Sequence, residues 1–258
     1  MTKRFWVNGE EDAAISPDNR LLRYGDGVFE TIRVSKGRVP LAQYHQKRLN
    51  EACKRLNLRA FDLAATLNQL GLVETGMLRV AVFAAGSQAG GYARGISSAE
   101  FMAWFEPTSF GENPSVALNT VQKDYDRSLA GLKSASALSY VLSSQIGGQL
   151  ACFVDTTGCI IETQRGNLLF EREGRLYTPN LNGGGVRGVM LAAMKQPLEQ
   201  RGIDMIEDSI YLEHVCDFDA VWEVNALRGI SRVHCIDRLT FPEGQLPLDE
   251  IVEDLYRC

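Results

Sequence analysis

Near the middle of the chain, the stretch Glu106-Pro107-Thr108-Ser109-Phe110-Gly111-Glu112-Asn113 concentrates residues that stop regular structure. A run of this kind between two apolar, strand-forming halves is hard to fold through, because proline lacks an amide donor and glycine pays a large conformational entropy. It predicts a small N-terminal unit over residues 1–106, a linker over 107–113 and a larger C-terminal unit over 114–258.

Within the first unit, Phe5-Trp6-Val7-Asn8-Gly9-Glu10 predicts a short strand closed by an Asn-Gly turn, and residues 28–34 alternate as a half-buried strand does. Apolar residues at helical spacing predict a basic amphipathic helix over 41–56 and a second helix over 61–72. Two further strands, 77–84 and 100–105, flank a glycine-rich connection through Gly90-Gly91-Tyr92. The second unit predicts a strand at 116–121 and a helix over 135–149 carried by Leu138, Val141, Leu142 and Ile146. Strands follow at 151–155, 168–171 and 176–178, then a glycine-rich turn and a helix over 189–201. A segment at 205–209, a short helix at 211–216, strands at 220–225 and 232–235 and a terminal helix over 248–257 complete it. The expected class is α/β of the α+β type, a small α/β domain followed by a larger domain of mixed strands and helices.

Several functions are argued against by composition. At a formal net charge of −5 the chain has no basic excess to neutralise phosphates, so a small-molecule substrate is expected rather than nucleic acid or a membrane surface. Six dispersed cysteines without a CxxC pair read as reduced, and three dispersed histidines form no zinc motif, so no metal site is expected. The first residues lack the apolar core of a signal peptide, and no apolar run reaches about 18 residues, so a cytoplasmic location is expected.

Five places could carry chemistry. Free of any Walker or dinucleotide pattern, the turn from Asn182 through Gly183-Gly184-Gly185-Val186-Arg187-Gly188 leads into a helix, and is either an anion site or a plain turn. Lys133 lies between Leu129-Ala130-Gly131-Leu132 and Ser134-Ala135-Ser136-Ala137-Leu138. So apolar a setting would favour a neutral, nucleophilic amine, unless the side chain snorkels to water. Glu162 ends the apolar run Cys159-Ile160-Ile161 and either faces water at a strand end or meets a ring nitrogen that must stay protonated. Arg48 is either a solvated helix charge or a planar fork for phosphate, and Asn225-Ala226-Leu227-Arg228-Gly229 is a turn that could close over the same anion.

The order of these pieces resembles the fold-type IV pyridoxal-phosphate enzymes, the family of branched-chain and D-amino-acid aminotransferases and aminodeoxychorismate lyases. The matching stretches are Arg23-Tyr24-Gly25-Asp26-Gly27-Val28-Phe29-Glu30-Thr31-Ile32-Arg33, His45-Gln46-Lys47-Arg48-Leu49 and Gly131-Leu132-Lys133. They continue with Ile161-Glu162-Thr163-Gln164-Arg165-Gly166-Asn167-Leu168-Leu169-Phe170, Tyr177-Thr178-Pro179, Gly185-Val186-Arg187-Gly188-Val189-Met190 and Val224-Asn225-Ala226-Leu227. The resemblance implies pyridoxal 5′-phosphate as a Schiff base on Lys133, with Glu162 at the pyridine nitrogen. Arg48, the Val186-Arg187 backbone and the Asn225-Ala226 turn would hold the phosphate. Tyr24, Thr31 and Arg94 would face the substrate, and a homodimer is implied, as is a β-barrel-like form for the larger domain. Gly166 stands where relatives usually have serine, and Leu191 where many have arginine.

The loop Gly90-Gly91-Tyr92-Ala93-Arg94-Gly95-Ile96 has neither the Arg-x-His of the D-amino-acid enzymes nor the Tyr-Ile-Arg-Pro of the branched-chain ones. It looks more like the lyase branch, which implies release of pyruvate from 4-amino-4-deoxychorismate to leave 4-aminobenzoate, a folate precursor. The alternatives are a D- or branched-chain transaminase and a non-catalytic protein that keeps the fold for binding.

Overall fold

The computed structural model describes residues 2–86, 91–145 and 150–257. It resolves into two compact units, Met1–Phe110 with Lys133–Ser136, and Gly111–Leu132 with Ala137–Cys258. The division at Phe110/Gly111 falls within the stretch chosen as linker. Lys133–Ser136, by contrast, joins the first unit although the sequence assigns it to the second.

In the first unit the strands are β1 (Arg4–Val7), β2 (Glu10–Glu11), β3 (Gly27–Val34), β4 (Gly76–Ala84) and β5 (Ala99–Pro107), in the order β2-β1-β5-β4-β3. All pair antiparallel. Asn8 and Gly9 both take positive φ, 51° and 87°, so the β1–β2 turn has the hand that matches strand twist. Helices α1 (Arg20–Tyr24), α2 (Ala42–Arg55) and α3 (Leu63–Leu70) complete the unit. Helix α2 buries His45, Leu49, Ala52 and Cys53, and α3 starts on an Asp62 carboxylate that accepts from the Ala65 amide.

Strand β3 carries most of the positional information. Its buried residues are Val28, Glu30, Ile32 and Val34, while Phe29, Thr31 and Arg33 point to the other face and are half-buried. Lys133–Ser136 lies antiparallel along its start: the Phe29 amide donates to the Lys133 carbonyl at 2.9 Å and the Ala135 amide to the Gly27 carbonyl at 2.9 Å. This pairing shortens the helix expected from residue 135. A backbone used as a strand cannot also be helical, so α4 runs only over Leu138–Ser144, and the expected continuation at 146–149 lies outside the described residues. The apolar stripe of α4 is not covered either: Leu138, Val141 and Leu142 are exposed.

The second unit is a mixed sheet. Its strands are β6 (Val116–Gln122), β7 (Leu150–Val154), β8 (Ile160–Thr163), β9 (Asn167–Arg172), β10 (Arg175–Pro179), β11 (Met205–Asp208), β12 (Ala220–Asn225), β13 (Gly229–Ile236) and β14 (Leu239–Thr240). The path is β11-β10-β9-β12-β13-β6-β7-β8, with β14 on β13. The β10–β11, β13–β6 and β6–β7 pairs are parallel. Strand β8, at the far end of the path from β11, also packs against β9 and β10, so the sheet curls into a half-barrel. Its core is Leu118, Cys152, Ile160, Leu168, Phe170, Val221 and Val233, all fully buried. Helices α5 (Val189–Gln200) and α6 (Leu248–Arg257) pack on each other and on β12 and β13 respectively. Among the described residues no helix is long and apolar enough to cross a membrane.

Candidate active site

The predicted residues fall into groups that each belong to one unit. In the first, Lys133 is half-buried and sets its ammonium over the Phe29 ring, 4.4 Å from the centroid. Pairing of its backbone with β3 holds it there. Thr31 lies two residues further along the same face of β3.

Arg48 is not a solvated helix charge. Its Nε donates to Glu30 Oε1 at 2.7 Å and its Nη2 to Glu30 Oε2 at 2.5 Å, and His45 Nδ1 lies 2.6 Å from the same Oε2. Burial alone would push the Glu30 carboxyl up, but the Arg48 guanidinium and His45 hold it down to about 2. The arginine fork is therefore oriented by a carboxylate that remains charged.

Arg94 departs from the expected substrate contact. Its Nε and Nη2 meet the two oxygens of Asp26 at 2.8 and 2.9 Å, and Arg20 Nε reaches Asp26 Oδ2 at 2.7 Å. Arg20 also donates to the Gly91 and Tyr92 carbonyls, so the two arginines tie this loop to Asp26. Tyr24, expected beside substrate, accepts from the Gly91 amide at 3.4 Å and packs edge-on against Tyr92. Both residues thus shape the loop. A nearby carboxylate, Asp26, takes the charge that a substrate carboxylate was expected to take. Gly90, the first residue of the predicted motif, lies outside the described residues.

The second group centres on Glu162, in β8 and only 3% exposed, where one expectation had it facing water. Tyr140 of α4 donates to its Oε1 at 2.6 Å, Tyr125 to the same oxygen at 3.2 Å, and the Val186 amide to Oε2 at 2.8 Å. Burial pushes this carboxyl up despite those donors and a nearby Lys123 ammonium. Gly185 makes the approach of the turn possible: its φ is +82°, and a Cβ there would come within 2.7 Å of Ile161 and 3.4 Å of the Glu162 carboxyl carbon. Asn167 secures the turn from below through its amide on the Val186 carbonyl at 2.9 Å.

The other predicted phosphate contacts are engaged in turn architecture. The Arg187 amide donates to the Gly131 carbonyl at 3.3 Å, while its side chain is exposed. Asn225 Oδ1 accepts the amides of Leu227 and Arg228, and the Tyr256 hydroxyl donates to the Asn225 and Ala226 carbonyls. Sequence reading passed over Lys123, Tyr125 and Tyr140. Alternation along Val121, Lys123 and Tyr125 was the available signal, since it continues the buried side of β6.

The family model for class IV amino-transferases matches residues 27–236. The chain belongs to this family. Members of the class IV aminotransferase family use pyridoxal 5′-phosphate. An aminodeoxychorismate lyase from Vibrio harveyi is 26% identical over 270 residues, covering 94% of this chain and 96% of that protein. A bifunctional aminodeoxychorismate lyase / D-amino acid transaminase from Mycobacterium tuberculosis is 23% identical over 90% of this chain and 88% of its own length. Among solved structures, the 4-amino-4-deoxychorismate lyase from Pseudomonas aeruginosa superposes with a TM-score of 0.87 at 28% identity, covering 98% of both chains.

The class IV residues present here suit that cofactor. The direct hydrogen-bond partners of Glu162 among the described residues are neutral, so a protonated ring nitrogen would add the positive charge they lack. An amine, a buried carboxylate, an oriented guanidinium and glycine-rich turns are the donor set that an aldehyde, a pyridine and a phosphate require.

Proposed function

We propose that this chain is an aminodeoxychorismate lyase, converting 4-amino-4-deoxychorismate into 4-aminobenzoate and pyruvate. When bound, pyridoxal phosphate supplies an electron sink for the charge left as a proton departs from the amine-bearing carbon. Lys133 Nζ would hold the aldehyde carbon, and its amine would be the base that takes that proton. Glu162 would accept from the ring nitrogen and keep it protonated. Arg48, held by Glu30, and the Val186-Arg187 and Asn225-Ala226 turns would hold the phosphate, and Thr31 would face the substrate. Loss of the ring proton and of the neighbouring enolpyruvyl group leaves an aromatic ring, which drives the net reaction.

The observation that carries the choice of a lyase is likeness to two lyases over nearly the whole chain. The loop of Arg94, with its fork on Asp26, carries neither of the two transaminase motifs. The exposed Leu138, Val141 and Leu142 support a homodimer, as sedimentation would register.

Purified protein loaded with pyridoxal phosphate is incubated with aminodeoxychorismate and, separately, with D-alanine plus 2-oxoglutarate. Pyruvate in the first reaction without amine transfer in the second is expected; the reverse pattern makes the chain a transaminase. Lys133→Ala should lose both the visible absorption band of the bound cofactor and turnover. Persistence of both would remove Lys133 from its role, and a protein that stays colourless with added cofactor would be a binding module.

A further inference from the structure

Lys123 has no part in the reaction as proposed, yet its side chain is only 5% exposed. Its ammonium lies 3.5 Å from the Tyr125 ring centroid, 4.1 Å from that of Tyr140 and 5.9 Å from that of Phe153. Burying a lysine is costly, and aromatic faces compensate by presenting the negative side of their quadrupoles to the cation. Two of these three rings then turn their hydroxyls onto one oxygen of Glu162. A cation over a ring withdraws electron density from it, which strengthens the phenol as a donor. Lys123, two phenols and Glu162 thus form one chain of contacts.

We propose that Lys123 is a positioning residue that acts through Tyr125 and Tyr140 to keep Glu162 ionised and its Oε1 turned to the phenols. The Tyr140 phenol favours the charged carboxylate by donating to it, and the buried Lys123 ammonium adds its attraction in the same direction. Burial lowers the Lys123 ammonium and raises Glu162, and the attraction between the two opposes both changes. Tyr125 and Tyr140 are pushed well above the usual phenol range, first by burial and then by Glu162, so both remain donors. Among the described residues few other groups face the cluster. Asp124 adjoins Lys123, the Val186 amide holds Oε2, and Cys152 beside Tyr125 is pushed up to about 12 by burial and stays an uncharged thiol. Phe153, opposite Glu162 on β7, adds no titrating group.

The ionisation of Glu162 can be read in the apoprotein, by the infrared carbonyl band that Glu162→Gln removes. Replacing the cation in Lys123→Met is expected to move the midpoint of that band upward by about one pH unit or more, and Lys123→Arg to return it. Tyr140→Phe keeps the buried cation but cuts the shorter contact, so it should raise the midpoint as well and serves if Lys123→Met does not fold. The same midpoint in wild type and in every folded variant overturns the proposal. Its consequence for catalysis rests on the reading that Glu162 faces a pyridine nitrogen, and the two fail separately. Wild-type protein that takes up no pyridoxal phosphate ends that reading, whereas the apoprotein titration decides the role of Lys123 with no cofactor present.

Discussion

Glu30 in the first unit and Glu162 in the second are both buried carboxylates ringed by hydrogen-bond donors, and their affinities for a proton move in opposite directions. Glu30 has a guanidinium and a histidine in direct contact. Glu162 has two phenols and an amide, with its cation held one ring away. Full charge at contact distance outweighs burial in the first case, and dipoles do not in the second. A carboxylate whose charge is already balanced is a structural anchor, whereas one left short of positive charge is able to reward a ligand that brings it.

That contrast can be broken at either end. Glu30→Gln removes a buried carboxylate that Arg48 and His45 both contact, and chemical denaturation should show a loss of about 3–5 kcal/mol. Glu162→Gln removes a group that burial has made costly to ionise. It should lower turnover by about 10²–10³-fold while the thermal midpoint stays level or rises; a stability loss as large as that of Glu30→Gln would mean the two carboxylates do the same job.

The response to acid sharpens the comparison. Glu30 has a folded value near 2 against an ordinary 4.5, so it contributes stability above about pH 4.5, on the order of 3 kcal/mol, and loses it as pH falls towards 2. Glu162 is raised, so the folded state binds its proton more readily and stability from this group falls as pH rises. Unfolding curves taken between pH 2 and 5 should be steeper in pH for wild type than for Glu30→Gln. The smallest effect is expected from Tyr125→Phe, which deletes the longer phenol contact to Glu162. A loss of about 1 kcal/mol or less, seen as less than a tenfold drop in turnover, would place it below Tyr140→Phe in the same assay.

Part of this arrangement was legible along the chain. Helix α2 lies close to its predicted bounds because an apolar stripe at helical spacing is a local signal, and the Asn8-Gly9 hairpin turn follows from residues that tolerate positive φ. Lys133 and Glu162 stood out through apolar surroundings for charged side chains. Other parts were not legible. The stripe of Leu138, Val141 and Leu142 predicts burial, and the single chain leaves it exposed. Arg94 read as a substrate contact, because nothing near it in sequence announces Asp26, 68 residues away.

Residue type and spacing by themselves determined the class of fold, the glycine-rich turns and the short set of side chains able to carry chemistry, since these depend on neighbours a few positions apart. Only the tertiary structure decided which charges meet: Arg48 with Glu30, Arg94 with Asp26, and Lys123 with the tyrosines that reach Glu162. The physical reason is range. Backbone preference acts over a few residues, whereas Coulomb attraction and desolvation depend on distance through space, which sequence order does not record.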